Sequence, residues 1–242
     1  PDAASSYSIV ISPPGTDRVF LHCPGANDTF LPTEVTAEAV EGAKIFHFGY
    51  PPLMRGVYSD GGRTCAHMFQ RIKETGVTTS LDMAKPDPAS EAGTVDWHRW
   101  LEQALPFVDI FLPSVEEILY MLRPAQYHSL SEKADGEERL LDVVTPSLLM
   151  ELGDELLKMG TGIAVLKLGD QGLYVQSSSR VERISDLGQA IPDNLATQWV
   201  SRQLITPCFE GDVVGTTGAG ECTIAGFLGG LVLAKRPTER GT

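Results

Sequence analysis

Positive charge is scarce in this sequence: 19 lysines and arginines stand against 32 aspartates and glutamates in 242 residues, a formal net charge of −13. Nucleic acid and anionic membrane both require a basic face, so neither is expected as a partner. A small anionic ligand survives that balance, because charges more than ~8 Å away are largely screened at physiological salt. Cysteine is sparse too. Cys23, Cys65, Cys208 and Cys222 are scattered, with no Cys-x-x-Cys pair and no clustered histidine. That argues against a zinc site or a disulfide framework and leaves reduced, mostly buried thiols as the expectation. No apolar run approaches the ~20 residues of a membrane span, and no basic-then-apolar signal opens the chain, so a soluble, cytoplasmic protein is expected. Internal repeats and low-complexity tracts are lacking, and 42% hydrophobic content suffices for one large α/β core.

What is present alternates. Residues 7–12 and 18–23 each alternate apolar and polar around a Pro-Pro-Gly-Thr-Asp turn and predict a hairpin. A short helix is expected over 33–41. Residues 43–49 then read as a buried parallel strand holding His47 as a satisfied core histidine and ending at Gly49, where the backbone can approach a ligand. A helix over 63–75 places Cys65, Met68, Phe69 and Ile72 on one face and stops at Gly76. Strands follow at 77–83 and 109–113, separated by a helix that buries Trp97 and Trp100 as core residues. Ser114 and Glu117 form a capping box on the next helix. Residues 129–144 read as a solvated loop, 145–160 as a proline-started helix, 163–169 as a buried strand, and 177–195 as polar loop. Strand, helix, strand, helix is the signature of a mainly parallel sheet.

The most informative stretch is Gly215-Thr216-Thr217-Gly218-Ala219-Gly220-Glu221, which leads into an apolar run with Ile224, Phe227, Leu228, Leu231 and Val232 on one helical stripe. A helix start offers unpaired N–H groups and a dipole that favours negative charge, so the turn suits phosphate. Gly218 and Gly220 let the backbone approach a ligand closely. Glu221 beside an anion suits a general base for phosphoryl transfer, although acidic residues are also favoured in any first turn. The turn lacks the Gly-Lys-Ser/Thr ending of a Walker loop, and Thr223 stands where a dinucleotide fingerprint needs its third glycine.

Residues 216–220 and the Ala225-Gly226 pair resemble the second signature of the ribokinase-like, or PfkB-type, carbohydrate kinases, usually Asp-Thr-Thr-Gly-Ala-Gly-Asp followed by a helix containing Ala-Gly. Gly215 and Glu221 depart from it, the latter replacing the catalytic Asp by Glu. The resemblance implies an α/β fold of three layers, a mainly parallel sheet flanked by helices with a small β lid, divided into a lid segment over residues 1–25 and a core over 26–242. It implies ATP and Mg²⁺ as cofactors and a small-molecule sugar as substrate; the exposed strand edge of such a lid suits pairing with a second subunit in a homodimer. By the same resemblance Glu221 is the catalytic base; Thr216, Thr217, Gly218, Ala219 and Gly220, with Lys167, Gly169 and Gly172, form the nucleotide side. Asn27, Gly49 and Asp82 are substrate candidates, and Glu117 is linked to the metal through water. On the residues themselves, a Lys167 charge at the end of a buried strand is costly without a partner, which a nearby carboxylate, solvent or a phosphate could supply. The chain opens on proline, and the early sugar-binding strands and late adenine-pocket segments are not found, so it is expected to be incomplete at both ends. A sugar kinase and a non-catalytic nucleotide- or sugar-binding relative both fit these residues.

Overall fold

The computed structural model describes residues 3–13, 19–191, 196–211 and 216–233. Strands β1 (Tyr7–Ile11) and β2 (Val19–Cys23) pair antiparallel as a sheet of their own. A second sheet holds β3 (Ile45–Phe48), β4 (Thr78–Leu81), β5 (Ile110–Phe111), β6 (Ile163–Lys167), β7 (Leu173–Ser177) and β8 (Gln203–Thr206) in chain order. Pairings from β3 to β6 are parallel, and those of β7 with β6 and β8 are antiparallel. The parallel crossovers carry α1 (Arg55–Tyr58), α2 (Arg63–Glu74), α3 (Trp97–Ala104), α4 (Val115–Leu122), α5 (Pro124–Lys133) and α6 (Pro146–Met159).

Three layers follow from the period of two along each strand. Phe111, Ala164 and Leu166 point into one apolar cluster with Phe69, Trp100, Ile118, Tyr127 and Leu152, which come from α2 to α6. Ile110, Leu112, Ile163, Val165 and Val175 point the other way. They meet Ile184 of α7 (Val181–Ser185), Trp199, and Ile224 and Leu231 of the helix Ala219–Val232. Trp97 and Trp100 are core, as expected, with ring centroids 5.6 Å apart.

Several expectations are corrected. Residues 33–41 form two 3₁₀ turns, Pro32–Glu34 and Glu38–Val40, because Val35 between them is extended. β3 is the edge strand of its sheet and only half-buried, so His47 is not a core residue, although its Nδ1 is satisfied by Ser80 Oγ at 3.0 Å. Residues 129–144 are not a loop: α5 runs into a 3₁₀ segment, Glu137–Val143, and Tyr127, Ser131 and Ala134 recur at helical spacing on its inner side. Serine and alanine in that stripe hide the period from a hydrophobic pattern. Residues 177–195 contain α7 and bury Ile184, Leu187 and Ile191. Cys65 alone of the four cysteines is buried; Cys208 and Cys222 are exposed, all as free thiols. None of the described helices is long and apolar enough to cross a membrane.

Candidate functional site at the ends of the parallel strands

Chain segments leaving the carboxyl ends of parallel strands line a crevice. β3 exits through Gly49 into Tyr50, which takes left-handed backbone (φ 59°, ψ 47°) ahead of the buried Pro51 and Pro52. β4 exits into Asp82, whose amide donates to the Phe48 carbonyl at 3.0 Å. β5 exits into Ser114, the N-cap of α4, and β6 ends on Lys167, whose amide donates to the Pro113 carbonyl at 2.9 Å. The strand order thereby gathers Tyr50, Asp82, Glu117 and Lys167. The helix Ala219–Val232 adds Glu221, whose Oε1 accepts from the Tyr50 phenol at 2.5 Å.

Lys167 is the cation of this cluster among the described residues. Its Nζ donates to Asp82 Oδ1 at 2.7 Å, with side-chain exposures of 13% and 1%, so the pair is largely withdrawn from solvent. Asp82 Oδ2 is buried and has no hydrogen-bond partner among the described residues. Burial pushes the Asp82 carboxyl up; Lys167 opposes the rise and Glu221 adds to it. Burial likewise pushes Glu117 up to about 8, with Lys167 opposing and Asp82 adding. The Glu117 carboxylate closes the expected capping box: Oε2 accepts from the Ser114 amide at 2.7 Å, and Ser114 Oγ accepts from the Glu117 amide at 3.2 Å. Tyr50 is held protonated by burial and then by Glu221, so its hydroxyl acts as a donor.

The glycine turn sits over this charge. Gly218 caps the helix at φ 83°, and the Ala219 amide donates to the Thr216 carbonyl at 3.2 Å. Among the described residues a methyl group on Gly218 would meet nothing within 4 Å, and one on Gly220 would lie 3.9 Å from Lys167 Nζ. The first turn is therefore open on its outer side and has the lysine ammonium beneath it. Ile224 and Leu231, packed on the sheet, hold it there.

Of the sequence candidates, Gly49, Asp82, Glu117 and Lys167 stand at these strand ends and Gly220 and Glu221 meet them from the helix, while Thr216, Thr217, Gly218 and Ala219 lead into that helix. The carboxylate alternative for Lys167 is the one the structure takes, in Asp82. Asn27 lies apart, on the 3₁₀ turn Gly25–Thr29 after the hairpin, and among the described residues no hydrogen bond ties it to the cluster. Gly172 has a packing reason of its own, since a Cβ there would stand 2.0 Å from the Thr206 carbonyl oxygen of β8; one on Gly169 would press on Leu141 at 3.2 Å. Gly215 falls outside the described residues. Tyr50 was missed by sequence reasoning; a Gly-Tyr-Pro-Pro run closing a strand was the available signal.

Phosphate with magnesium is compatible with this donor set. Among the described residues no three His, Cys, Asp or Glu side chains could hold a metal by themselves. Magnesium, however, is commonly bound through one or two carboxylates plus substrate phosphates, and the orphaned Asp82 Oδ2 and Glu117 supply that number.

The family described as pfkB family carbohydrate kinase matches residues 3–240. No curated protein matches the chain. Among solved structures, the ribokinase of Arabidopsis thaliana, complexed with ribose and ATP, is 16% identical, with a TM-score of 0.61 over 97% of this chain and 58% of its own. The ribokinase of Thermotoga maritima is also 16% identical, with a TM-score of 0.59 over 97% of this chain and 59% of its own. A ribokinase II from E. coli, in complex with ATP and Mg²⁺, is 18% identical, with a TM-score of 0.55 over 92% and 56%. The likeness is one of fold, and the chain spans less than two thirds of the length of these structures.

Proposed function

The chain belongs to the pfkB family of carbohydrate kinases, and from that premise we propose that it transfers phosphate from ATP to a hydroxyl of a small sugar. The observation that carries the reading is the convergence of the Gly218–Gly220 turn, Lys167 and Glu221 on one crevice. In it, the first-turn amides of the helix Ala219–Val232 hold the transferring phosphate, where the helix dipole favours negative charge. Lys167, beneath Gly220, adds a positive charge to that position, and Asp82 keeps the ammonium in place. Glu221 takes the proton from the sugar hydroxyl. Magnesium, held through Glu117 and Asp82 together with phosphate oxygens, would neutralise phosphate charge. Gly49 and Asp82 border the sugar side. Asn27 reaches the sugar only if the hairpin closes toward the crevice.

We further propose that residues 1–25 act as a lid on a core formed by the rest. Tyr7, Ile9, Ile11, Val19, Phe20 and Leu21 are all exposed on a two-stranded sheet. An isolated pair of strands is marginal in water, which supports pairing of two lids in a homodimer.

The test is an ADP-release assay over a panel of sugars with wild type, Glu221→Gln and Glu221→Asp. Turnover in wild type that falls ~10²- to 10⁴-fold in Glu221→Gln is expected, the range ordinary for a general base. Silence of wild type and Glu221→Asp on every sugar, with ATP binding intact by calorimetry, would replace the kinase by a non-catalytic nucleotide-binding relative.

A further inference from the structure

We propose that Tyr50 is the positioning residue for Glu221: its phenol holds one carboxylate oxygen, so that a side chain one methylene longer than the family's aspartate still presents its base in a single direction. This rests on the kinase reading for its consequence, though not for its geometry. A glutamate has one more side-chain torsion than an aspartate, and in the first turn of a helix little packing limits it. A base that samples several directions loses rate, because misplacement of about 1 Å can cost ~10²-fold. The Tyr50 hydroxyl meets Glu221 Oε1 at 2.5 Å, the distance of a charge-assisted O–H···O⁻ bond.

The platform under the phenol is rigid. Tyr50 takes left-handed backbone, uncommon for a residue with a side chain, and such positions cluster at functional sites. The buried Pro51 and Pro52 follow it, and the Leu53 amide donates to the Tyr50 carbonyl at 2.9 Å. The strand end of β3 thus delivers a fixed donor to a residue 171 positions later in the chain.

Tyr50→Phe removes the donor and keeps the ring. Tyr50 and Asp82 bear on Glu221, and Lys167 and Glu117 bear on Asp82 or share its charge; of these four groups only Tyr50 is changed. A hydrogen bond to the ionised form favours it, so its loss makes the carboxylate easier to protonate. The acid limb of the kcat profile is therefore expected to move to higher pH, and kcat to fall ~10-fold with the KM for ATP unchanged. In a Glu221→Asp background, where the shorter carboxylate no longer reaches the phenol, Tyr50→Phe should have no further effect.

A readout that needs no turnover is the titration of ¹³C-carboxyl-labelled glutamate by NMR, with the Glu221 signal assigned through Glu221→Gln. An upward shift of its midpoint in Tyr50→Phe supports the proposal even if no sugar is phosphorylated, in which case only the kinase reading falls. An unchanged midpoint overturns the proposal, whether or not the enzyme turns over. So does an equal loss of rate from Tyr50→Phe in the wild-type and Glu221→Asp backgrounds.

Discussion

Where β5 begins, Asp109 is buried between two cations. Its Oδ1 accepts from Lys73 and Arg183, each at 2.7 Å, and its Oδ2 from the Thr79 amide at 2.9 Å and the Thr79 hydroxyl at 3.1 Å. The cations are shared onward, Lys73 to Asp186 at 3.0 Å and Arg183 to the carbonyls of Gly160 and Val108 at 2.8 Å. At the opposite end of the same strands Asp82 has one lysine, an oxygen without a partner among the described residues, and two further carboxylates near it. Buried polar groups are ordinarily satisfied, so a finished cluster reads as structural and an unfinished one as awaiting a ligand. Both ends bury a carboxylate beside a cation; what separates them is whether the hydrogen bonds and charges close without help.

The largest effect expected from that contrast lies at the closed end. Asp109→Asn leaves Lys73 and Arg183 facing a neutral amide in a buried site, and breaking a buried ion pair typically costs about 3–5 kcal/mol. Urea denaturation should show that loss, while the folded fraction keeps its affinity for nucleotide. Weakened nucleotide binding at unchanged stability would erase the distinction between the two ends.

At the open end the stability cost should be smaller and should depend on pH. Lys167→Met leaves Asp82 and Glu117 without their cation, and both can take up protons instead of staying charged. Glu117 already sits at about 8 against 4.5 for the ordinary carboxyl, a folded value raised above the unfolded one. Folded protein then binds the proton more tightly, so stability is greatest below about pH 4.5, falls as pH rises to about 8, and levels off above it. Lys167→Met removes an interaction that favours ionisation, so it should steepen that fall: little loss against wild type at pH 5, a larger one at pH 8. Nucleotide affinity should drop ~10-fold, about 1.4 kcal/mol. Parallel stability curves for the two proteins would mean that Lys167 does not hold these carboxylates.

The difference between the ends also explains what the sequence made legible. The sheet was readable because β5 and β6 lie in continuous apolar runs between turn signals and β4 opens on β-branched threonines between Gly76 and the Lys85-Pro86 exit, and the capping box because Ser114 and Glu117 are local. The glycine turn was visible for the same reason. Asp82 could be suspected, but its pairing with Lys167 spans 85 positions, and the bond from Tyr50 to Glu221 spans 171. Such contacts are set by strand order, which periodicity does not encode. Asp109, Lys73 and Arg183 went unremarked because no motif marks a charge that is merely satisfied. α5 was lost in a charged stretch because Ser131 and Ala134 carry part of its buried stripe.

The smallest effect tests whether the open end is open for a reason. Gly218 has positive φ, so Gly218→Ala carries a backbone cost of about 1 kcal/mol, but among the described residues, its chain neighbours and own helix backbone aside, no atom lies within 4 Å of the added methyl. Protein packing thus gives no further objection to alanine. If phosphate seats against this turn, the methyl occupies the space the ligand needs, and nucleotide affinity should fall by more than the stability does. Calorimetry with ATP, set beside urea denaturation of the same variant, reads both quantities. A loss of stability alone would assign the glycine to the helix cap and leave the unfinished charge of Asp82 without the ligand that would complete it.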